Sequence, residues 1–136
     1  MHLPQTEAEL AELIRDAQSP LSICGGGTRG VASPGAPLGT SGLSGITLYE
    51  PGAMTVVAGA GTPVAEIETA LAAENQRLAF EPMDHRRLLG TTGEPTIGGV
   101  MSANVSGPRR ISVGAARDFL LGVRYVDGMG SIVKNG

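Results

Sequence analysis

The stretch Pro20–Gly30, PLSICGGGTRG, puts a short apolar run directly before a cluster of glycines. Three of these glycines have the spacing G-x-G-x-x-G: Gly25, Gly27 and Gly30. This spacing lets the backbone lie close to the pyrophosphate of a dinucleotide, but the usual form needs a helix after the third glycine. Here Pro34 and Pro37 follow, and proline is poorly tolerated inside a helix. The sequence therefore predicts either a dinucleotide site of another architecture or only a glycine-rich loop.

The glycine cluster has the chemistry of a phosphate site. Consecutive glycines reach positive φ angles, so successive N–H groups can point at one anion. Thr28 adds a hydroxyl and Arg29 a permanent positive charge, and both suit phosphate oxygens. A P-loop is excluded, because Val31 and Ala32 follow Gly30 where Lys and Ser or Thr are required.

Composition and charge narrow the possible partners. The 136 residues fit one domain with its own core, and the 21 glycines are about twice the usual share. Residues 1–84 carry ten acids and three arginines, a net charge of −7, whereas residues 85–136 carry seven basic and three acidic side chains, a net charge of +4. The basic second half suits an anionic ligand, but only four aromatics and no basic stripe argue against nucleic acid.

The cysteine and the length of the apolar runs bear on location. Cys24 is the only cysteine, which excludes a disulfide within the chain and a cysteine-built zinc site, and we interpret it as a buried strand residue. No stretch approaches 18 apolar residues, and Met1 is followed by polar residues without a leader pattern. We expect a cytoplasmic protein, with peripheral membrane association left open.

Hydrophobic spacing predicts a small α/β layer in the first part of the chain. Residues 6–17 form an amphipathic helix with a capping box at its start, and a second helix begins at Pro63. The buried stripe of this second helix is Val64, Ile67 and Leu71. Four strands are predicted, at residues 21–24, 46–50, 55–61 and 77–80.

After Pro82 the sequence becomes small, polar and rich in glycine. Two apolar runs near the end, joined by Gly128–Gly130, predict a β-hairpin. We therefore predict an α+β fold with two subdomains, a small α/β layer in residues 1–82 and the start of a mainly antiparallel subdomain in residues 83–136. One hairpin is rarely stable alone, so we expect the chain to be the front part of a longer protein.

A second glycine-rich segment follows in the sequence TIGGVMSANVSG. It sets small hydrogen-bonding side chains and bare backbone in a row: Thr96, Ile97, Gly98, Gly99, Ser102, Asn104 and Gly107. A flat cofactor with polar edges fits against such a surface. The alternative is a glycine-rich turn that packs against the first layer.

Three separated runs are similar to one known family. They are PLSICGGGTRG, GTPVAEIETALAAENQRLAFEP and PTIGGVMSANVSGPRRISVGAARDFLLGVRYVDGMG, which in order cover nearly the whole chain. These runs resemble the FAD-binding domain of the p-cresol methylhydroxylase and vanillyl-alcohol oxidase superfamily. The part from GPRR to RDFLLG is most similar to the FAD-binding subunits of bacterial glycolate oxidases. In this family the glycine loop leads into a long connection, and FAD lies between two subdomains.

The resemblance implies two sets of cofactor-binding residues. The first loop would receive the FAD pyrophosphate: Gly25, Gly26, Gly27, Thr28, Arg29 and Gly30. The second segment, from Thr96 to Gly107, would take the other side of the pyrophosphate and the adjoining ribityl or flavin portion. A valine at Gly26 is then expected to occupy the space of the pyrophosphate. Some relatives attach FAD through a histidine in the first loop, and because none is present here we expect non-covalent FAD.

The implied function is that of an FAD-binding portion of an oxidoreductase subunit that oxidises a small 2-hydroxy acid to its 2-oxo acid. Electrons would pass to partner subunits, among them an iron–sulfur protein, and any peripheral attachment at the inner membrane face would go through those partners. No acid–base residue for this reaction can be placed on the chain. We therefore expect the chain alone to be inactive.

Other interpretations remain open at this point. The chain can be a truncated or assembly module that keeps the fold with little or no flavin binding. A nicotinamide-dependent relative of the cell-wall enolpyruvyl reductase type is disfavoured by the match from GPRR to RDFLLG. We interpret His85, with Arg86 and Arg87, as part of a surface loop, with a substrate anion site as the alternative.

Overall fold

The computed structural model describes every residue from Met1 to Gly136. Five helices and six short strands form, together with 3-10 turns at Pro51–Ala53 and Ala116–Phe119. The helices are α1 (Glu7–Asp16), α2 (Val64–Ala73), α3 (Arg86–Leu89), α4 (Ile97–Ser102) and α5 (Arg110–Val113). The strands are β1 (Leu21–Cys24), β2 (Ala36–Gly39), β3 (Ile46–Glu50), β4 (Thr55–Ala58), β5 (Val123–Val126) and β6 (Ile132–Asn135). None of the helices is both long and apolar enough to cross a membrane.

Helix α1 begins where the sequence predicts. The Thr6 hydroxyl accepts a hydrogen bond from the Glu9 N–H at 3.2 Å. The Glu9 carboxylate accepts from the Gln5 N–H at 2.7 Å, one residue before the cap, so the capping box is displaced by one position. Capping satisfies N–H groups that have no partner within the helix, which fixes the start of α1.

Ion pairing ties α1 to the last two strands. The Arg124 guanidinium on β5 pairs with the Glu7 carboxylate, and this contact lowers the pKa of Glu7. Arg15 donates from Nη2 to the carbonyl oxygen of Gly130 at 3.1 Å. The first helix and the final hairpin therefore lie side by side, although more than 100 residues separate them in the chain.

The strands form three separate pairs. β1 and β2 are parallel, whereas β3–β4 and β5–β6 are antiparallel. The predicted hairpin around Gly128–Gly130 is confirmed by the β5–β6 pair. β2 lies in the Pro- and Gly-rich stretch for which the family resemblance implies a long connection. Because a parallel partner requires a crossover, residues 25–35 leave the end of β1 and return, which puts the glycine cluster at that end.

β1 is more open to solvent than predicted. Ile23 is 59% exposed, and Cys24 is half-buried, so the interpretation of Cys24 as a buried residue is wrong. A two-stranded pair has one covered face at most, whereas the prediction assumed a strand inside a larger sheet. The carbonyl oxygen of Cys24 accepts a hydrogen bond from the Thr40 N–H at 3.0 Å.

The principal core contradicts one predicted strand. Residues 77–80 form no strand; residues 79 and 80 lie in a turn, and Phe80 is buried there with 2% of its surface exposed. Five buried residues make this core: Val64, Phe80, Val100, Val105 and Ala116. They come from both sides of residue 82, and the division into subdomains 1–82 and 83–136 stays a prediction.

The buried stripe of α2 is confirmed. Val64, Ile67 and Leu71 are all buried, as the spacing predicts. Pro63, the predicted first helical residue, is instead the N-cap, so α2 begins one residue later at Val64. A short bridge pairs Pro63 with Thr96. The Val64 N–H donates to the carbonyl oxygen of Pro95 at 2.8 Å. This contact joins α2 to the segment that precedes α4.

Thr62 provides a test of this packing. Its side chain is fully buried, its hydroxyl accepts from the Gly45 N–H at 2.9 Å, and it donates to the Gly59 carbonyl at 2.7 Å. Thr62→Val leaves the Gly45 N–H without its partner and removes one of the two hydrogen bonds to the Gly59 carbonyl, so we expect the free energy of unfolding to fall by about 1–2 kcal/mol. Chemical denaturation measures this loss. The matched exposed change, Thr47→Val, should stay within about 0.5 kcal/mol of the parent.

Candidate functional site

The backbone of the first glycine loop is open. None of the N–H groups of residues 25–30 donates a hydrogen bond within the chain. Gly27 and Gly30 have φ angles of 68° and 64°, and no atom lies within 4 Å of where a Cβ atom would stand at either residue. Successive backbone N–H groups that have no partner in the protein and lie beside residues of positive φ form the arrangement that binds anions.

A neighbouring segment supports this loop from one side. A Cβ atom at Gly26 would overlap the carbonyl oxygen of Glu94, and one at Gly93 would overlap the carbonyl oxygen of Gly26. The Thr91 hydroxyl donates to the carbonyl oxygen of Thr28 at 2.7 Å, and the Thr28 side chain is buried. The two backbones therefore touch at Gly26, which only glycine permits.

The second predicted segment meets the loop on another side. Thr96 caps α4 by accepting from the Gly99 N–H at 3.3 Å, and its side chain is buried. A Cβ atom at Gly25 would lie 3.0 Å from Oγ1 of Thr96, and one at Gly99 would lie 2.9 Å from Nη1 of Arg29. The structure thus brings together the two segments that the sequence analysis singled out separately.

Arg29 contributes the only charge of the first loop. Its Nε atom is buried and has no hydrogen-bond partner in the protein. Burial lowers the pKa of its guanidinium, which still remains charged because an arginine pKa starts so far above neutrality. Buried donors are nearly always satisfied in folded proteins, so an unmet donor beside open amides marks a place for an acceptor-rich ligand.

Ile97 and Gly98 anchor the second segment to the protein. The Ile97 N–H donates to the Thr62 carbonyl at 2.9 Å, and the Gly98 N–H donates to the Ala60 carbonyl at 2.8 Å. A Cβ atom at Gly98 would stand 2.7 Å from that same carbonyl oxygen. These contacts hold α4 against the turn after β4 and leave no room for a larger residue at Gly98.

Three further predicted residues have other neighbours. Ser102 is exposed at the end of α4. Asn104 has a φ of 47°, and its Oδ1 accepts from the Arg117 N–H at 3.0 Å, while Gly107 packs against the carbonyl of Glu81. These contacts do not involve residues 25–30. The assignment of Ser102, Asn104 and Gly107 to the cofactor stays a prediction.

The segment that follows Pro82 carries residues that sequence reasoning missed. Thr91 and Glu94 contact the glycine loop directly, yet neither belongs to a recognisable motif. The Arg86 guanidinium pairs with the carboxylates of Asp84 and Glu94, so its charge is balanced inside the protein. Helix α3 follows His85, whose Nδ1 atom is buried without a hydrogen-bond partner, so the surface-loop interpretation and the anion-site alternative both stay predictions.

Comparison with known proteins places the chain in a family. The FAD binding domain family matches residues 1–136, and the chain belongs to it. The glycolate oxidase subunit GlcE of Escherichia coli (strain K12) is 37% identical over 92 residues, which are 68% of this chain and 25% of that protein. A solved structure of a berberine bridge enzyme variant in complex with (S)-reticuline superposes with a TM-score of 0.72 and 19% identity, over 97% of this chain and 27% of that one.

These findings confirm the predicted family, the α+β FAD-binding fold and FAD as the cofactor. The chain spans about a quarter of the length of both proteins. The residues present fit the cofactor, because open amides, space at Gly27 and Gly30, and the unmet donor of Arg29 suit a pyrophosphate. The turn at the end of β1 therefore has the donors and the space that a pyrophosphate requires, and no helix follows its third glycine.

Proposed function

We propose that residues 25–30 hold the pyrophosphate of FAD and that Thr96–Gly99 closes the other side of this site. The observation that carries the proposal is the row of N–H groups in residues 25–30 with no partner in the protein. They would donate to phosphate oxygens, and Arg29 would add a charge-assisted hydrogen bond. We assign Ser102, Asn104 and Gly107 to the ribityl or flavin portion on the strength of the resemblance alone.

Non-covalent attachment is part of the proposal. The only histidines are His2 and His85, and neither lies in residues 25–30. Acid precipitation of the purified holoprotein is expected to release all of the flavin absorbance into the supernatant. Flavin retained on the denatured, washed protein would contradict non-covalent binding.

For the whole protein we propose the oxidation of a 2-hydroxy acid such as glycolate. Support comes from the 37% identity to a protein named as a glycolate oxidase subunit. FAD, when bound, supplies a hydride acceptor at the flavin ring, while this chain binds and orients the pyrophosphate end. Onward transfer to partner subunits, including an iron–sulfur protein, and attachment to a membrane through those partners belong to the same proposal.

The reaction has a direct spectroscopic test. Under anaerobic conditions, glycolate added to the assembled holoenzyme is expected to bleach the flavin absorbance band, because the bound flavin becomes reduced. Lactate and other 2-hydroxy acids define the substrate range in the same assay. A flavin spectrum that none of these acids changes would contradict the proposed reaction and leave the binding of FAD untouched.

A further inference from the structure

Arg86 closes residues 84–94 into a compact loop. Its Nε and Nη2 atoms donate to the Asp84 carboxylate at 3.0 and 2.7 Å. Its Nη1 atom donates to the carbonyl oxygen of Gly93 at 3.0 Å and to the Glu94 carboxylate at 3.2 Å. One planar side chain thus joins the beginning of the loop to its end, which the fork geometry of arginine permits and a lysine does not.

The closed loop is the part that touches the glycine loop. Gly93 and Glu94, which Arg86 holds, are the residues in backbone contact with Gly26. Thr91, whose N–H donates to the Arg86 carbonyl at 3.2 Å, gives its hydroxyl to the carbonyl of Thr28. The Arg86 side chain therefore reaches the backbone of Gly26 through Gly93 and Glu94, whereas Thr91 is held by the main-chain carbonyl of residue 86.

The cofactor loop depends on such outside support. Its N–H groups make no hydrogen bonds within the chain, so nothing internal to residues 25–30 fixes their direction. A site binds more tightly when its donors are already oriented before the ligand arrives, because less conformational freedom is lost on binding. The contacts from Thr91, Gly93 and Glu94 supply that orientation on one side.

We infer that Arg86 is a positioning residue for FAD, whose side chain acts through Gly93 and Glu94 on the backbone of Gly26. The inference rests on the proposed pyrophosphate site. Arg86 does not itself bind the phosphate, because its charge is met by two carboxylates. Hydrogen bonds from Arg86 lower the pKa of Asp84 to about 2, so this carboxylate is ionised at neutral pH and the pairing is complete there.

Arg86→Gln tests the inference by removing the fork. We expect the Kd for FAD, measured by quenching of flavin fluorescence, to rise about 3- to 10-fold. Arg86→Lys should recover part of this loss, because an ammonium reaches one acceptor group but not both ends of the loop. Arg87→Ala is the matched control, an exposed neighbouring arginine, and should change the Kd by less than about twofold.

A double-mutant cycle separates positioning from a general loss of stability. Glu94→Ala removes the carboxylate that Arg86 holds at the end of the loop, and its effect on the FAD Kd should overlap with that of Arg86→Gln. The double variant is then expected to bind about as weakly as the weaker single variant. Additive effects would overturn the inference, because Arg86 would then act by another route.

The failure of this inference is distinguishable from the failure of the proposed site. Unchanged FAD affinity in Arg86→Gln, with the parent protein binding FAD, overturns the role of Arg86 alone. A parent protein that does not bind FAD overturns both. Should Arg86→Gln fail to fold, Arg86→Lys alone decides, since an unchanged Kd in a variant that cannot join both ends of the loop overturns the role of Arg86.

Discussion

Gly26→Val is expected to abolish FAD binding. The first Cβ atom would overlap the carbonyl oxygen of Glu94, so the loop of residues 25–30 and the segment at residues 93–94 must separate. Both backbones are fixed by neighbouring contacts, and the open amides would lose their common direction. We expect the Kd to rise at least about 100-fold, which corresponds to roughly 2.7 kcal/mol. The cause differs from the predicted one, because the side chain meets protein backbone before it reaches the cofactor.

The control for this change is Gly52→Val. Gly52 lies in an exposed turn, has no atom within 4 Å of the position of a Cβ atom, and does not have a positive φ. FAD titration of both variants, with circular dichroism to confirm folding, measures the effect. A folded Gly26→Val protein that binds FAD with unchanged affinity would contradict the placement of the glycine loop.

Arg29→Ala is expected to weaken FAD binding by about 1–3 kcal/mol, the usual range for a hydrogen bond to a charged group. The FAD-free protein should lose no stability, because the buried Nε atom has no partner to lose. A loss of affinity for FAD without a loss of stability is expected of a ligand-binding residue and not of a structural one.

Two measurements check this second prediction. Isothermal titration gives the affinity for FAD, and thermal unfolding without FAD gives the Tm. Arg110→Ala, an exposed arginine outside the site, is the matched control and should change neither quantity. An Arg29→Ala protein with a lowered Tm and normal affinity would make Arg29 a structural residue.

Local sequence signals predicted the elements that depend on neighbours in the chain. Thr6 and Glu9 mark the start of α1, and the spacing of Val64, Ile67 and Leu71 marks the buried face of α2. The hairpin around Gly128–Gly130 follows from turn residues between two apolar runs. Each of these features arises from contacts within a few residues, so the sequence contains the information directly.

Features that depend on distant contacts were missed. The apolar residues of 77–80 have the composition of a strand, but they lack a partner strand, and Phe80 instead belongs to the same core cluster as Val100 and Val105. Helix α4 contains two glycines and has low helix propensity, yet it forms because Thr96 caps it and the Thr62 carbonyl receives the Ile97 N–H. Tertiary contacts decide both outcomes.

In the candidate site, too, the features that depend on local sequence were predicted and those that depend on distant contacts were missed. The motif predicted that residues 25–30 bind an anion, and the second glycine segment was singled out for its small polar residues. No motif marks the support from Thr91, Gly93 and Glu94, because it consists of one hydroxyl contact and close backbone approaches between residues more than 60 positions apart. Only the three-dimensional structure shows that these residues contact the glycine loop of residues 25–30.

The most direct test of the proposed site is a titration of the purified, flavin-free protein with FAD, followed by flavin fluorescence. We predict saturable binding of one FAD per chain, together with an increase in Tm as the FAD concentration rises. Free riboflavin, which lacks the pyrophosphate, should bind much more weakly, because the open amides of residues 25–30 would have no phosphate to contact. Fluorescence that FAD and riboflavin change alike, or that does not saturate, would contradict a pyrophosphate site in this loop.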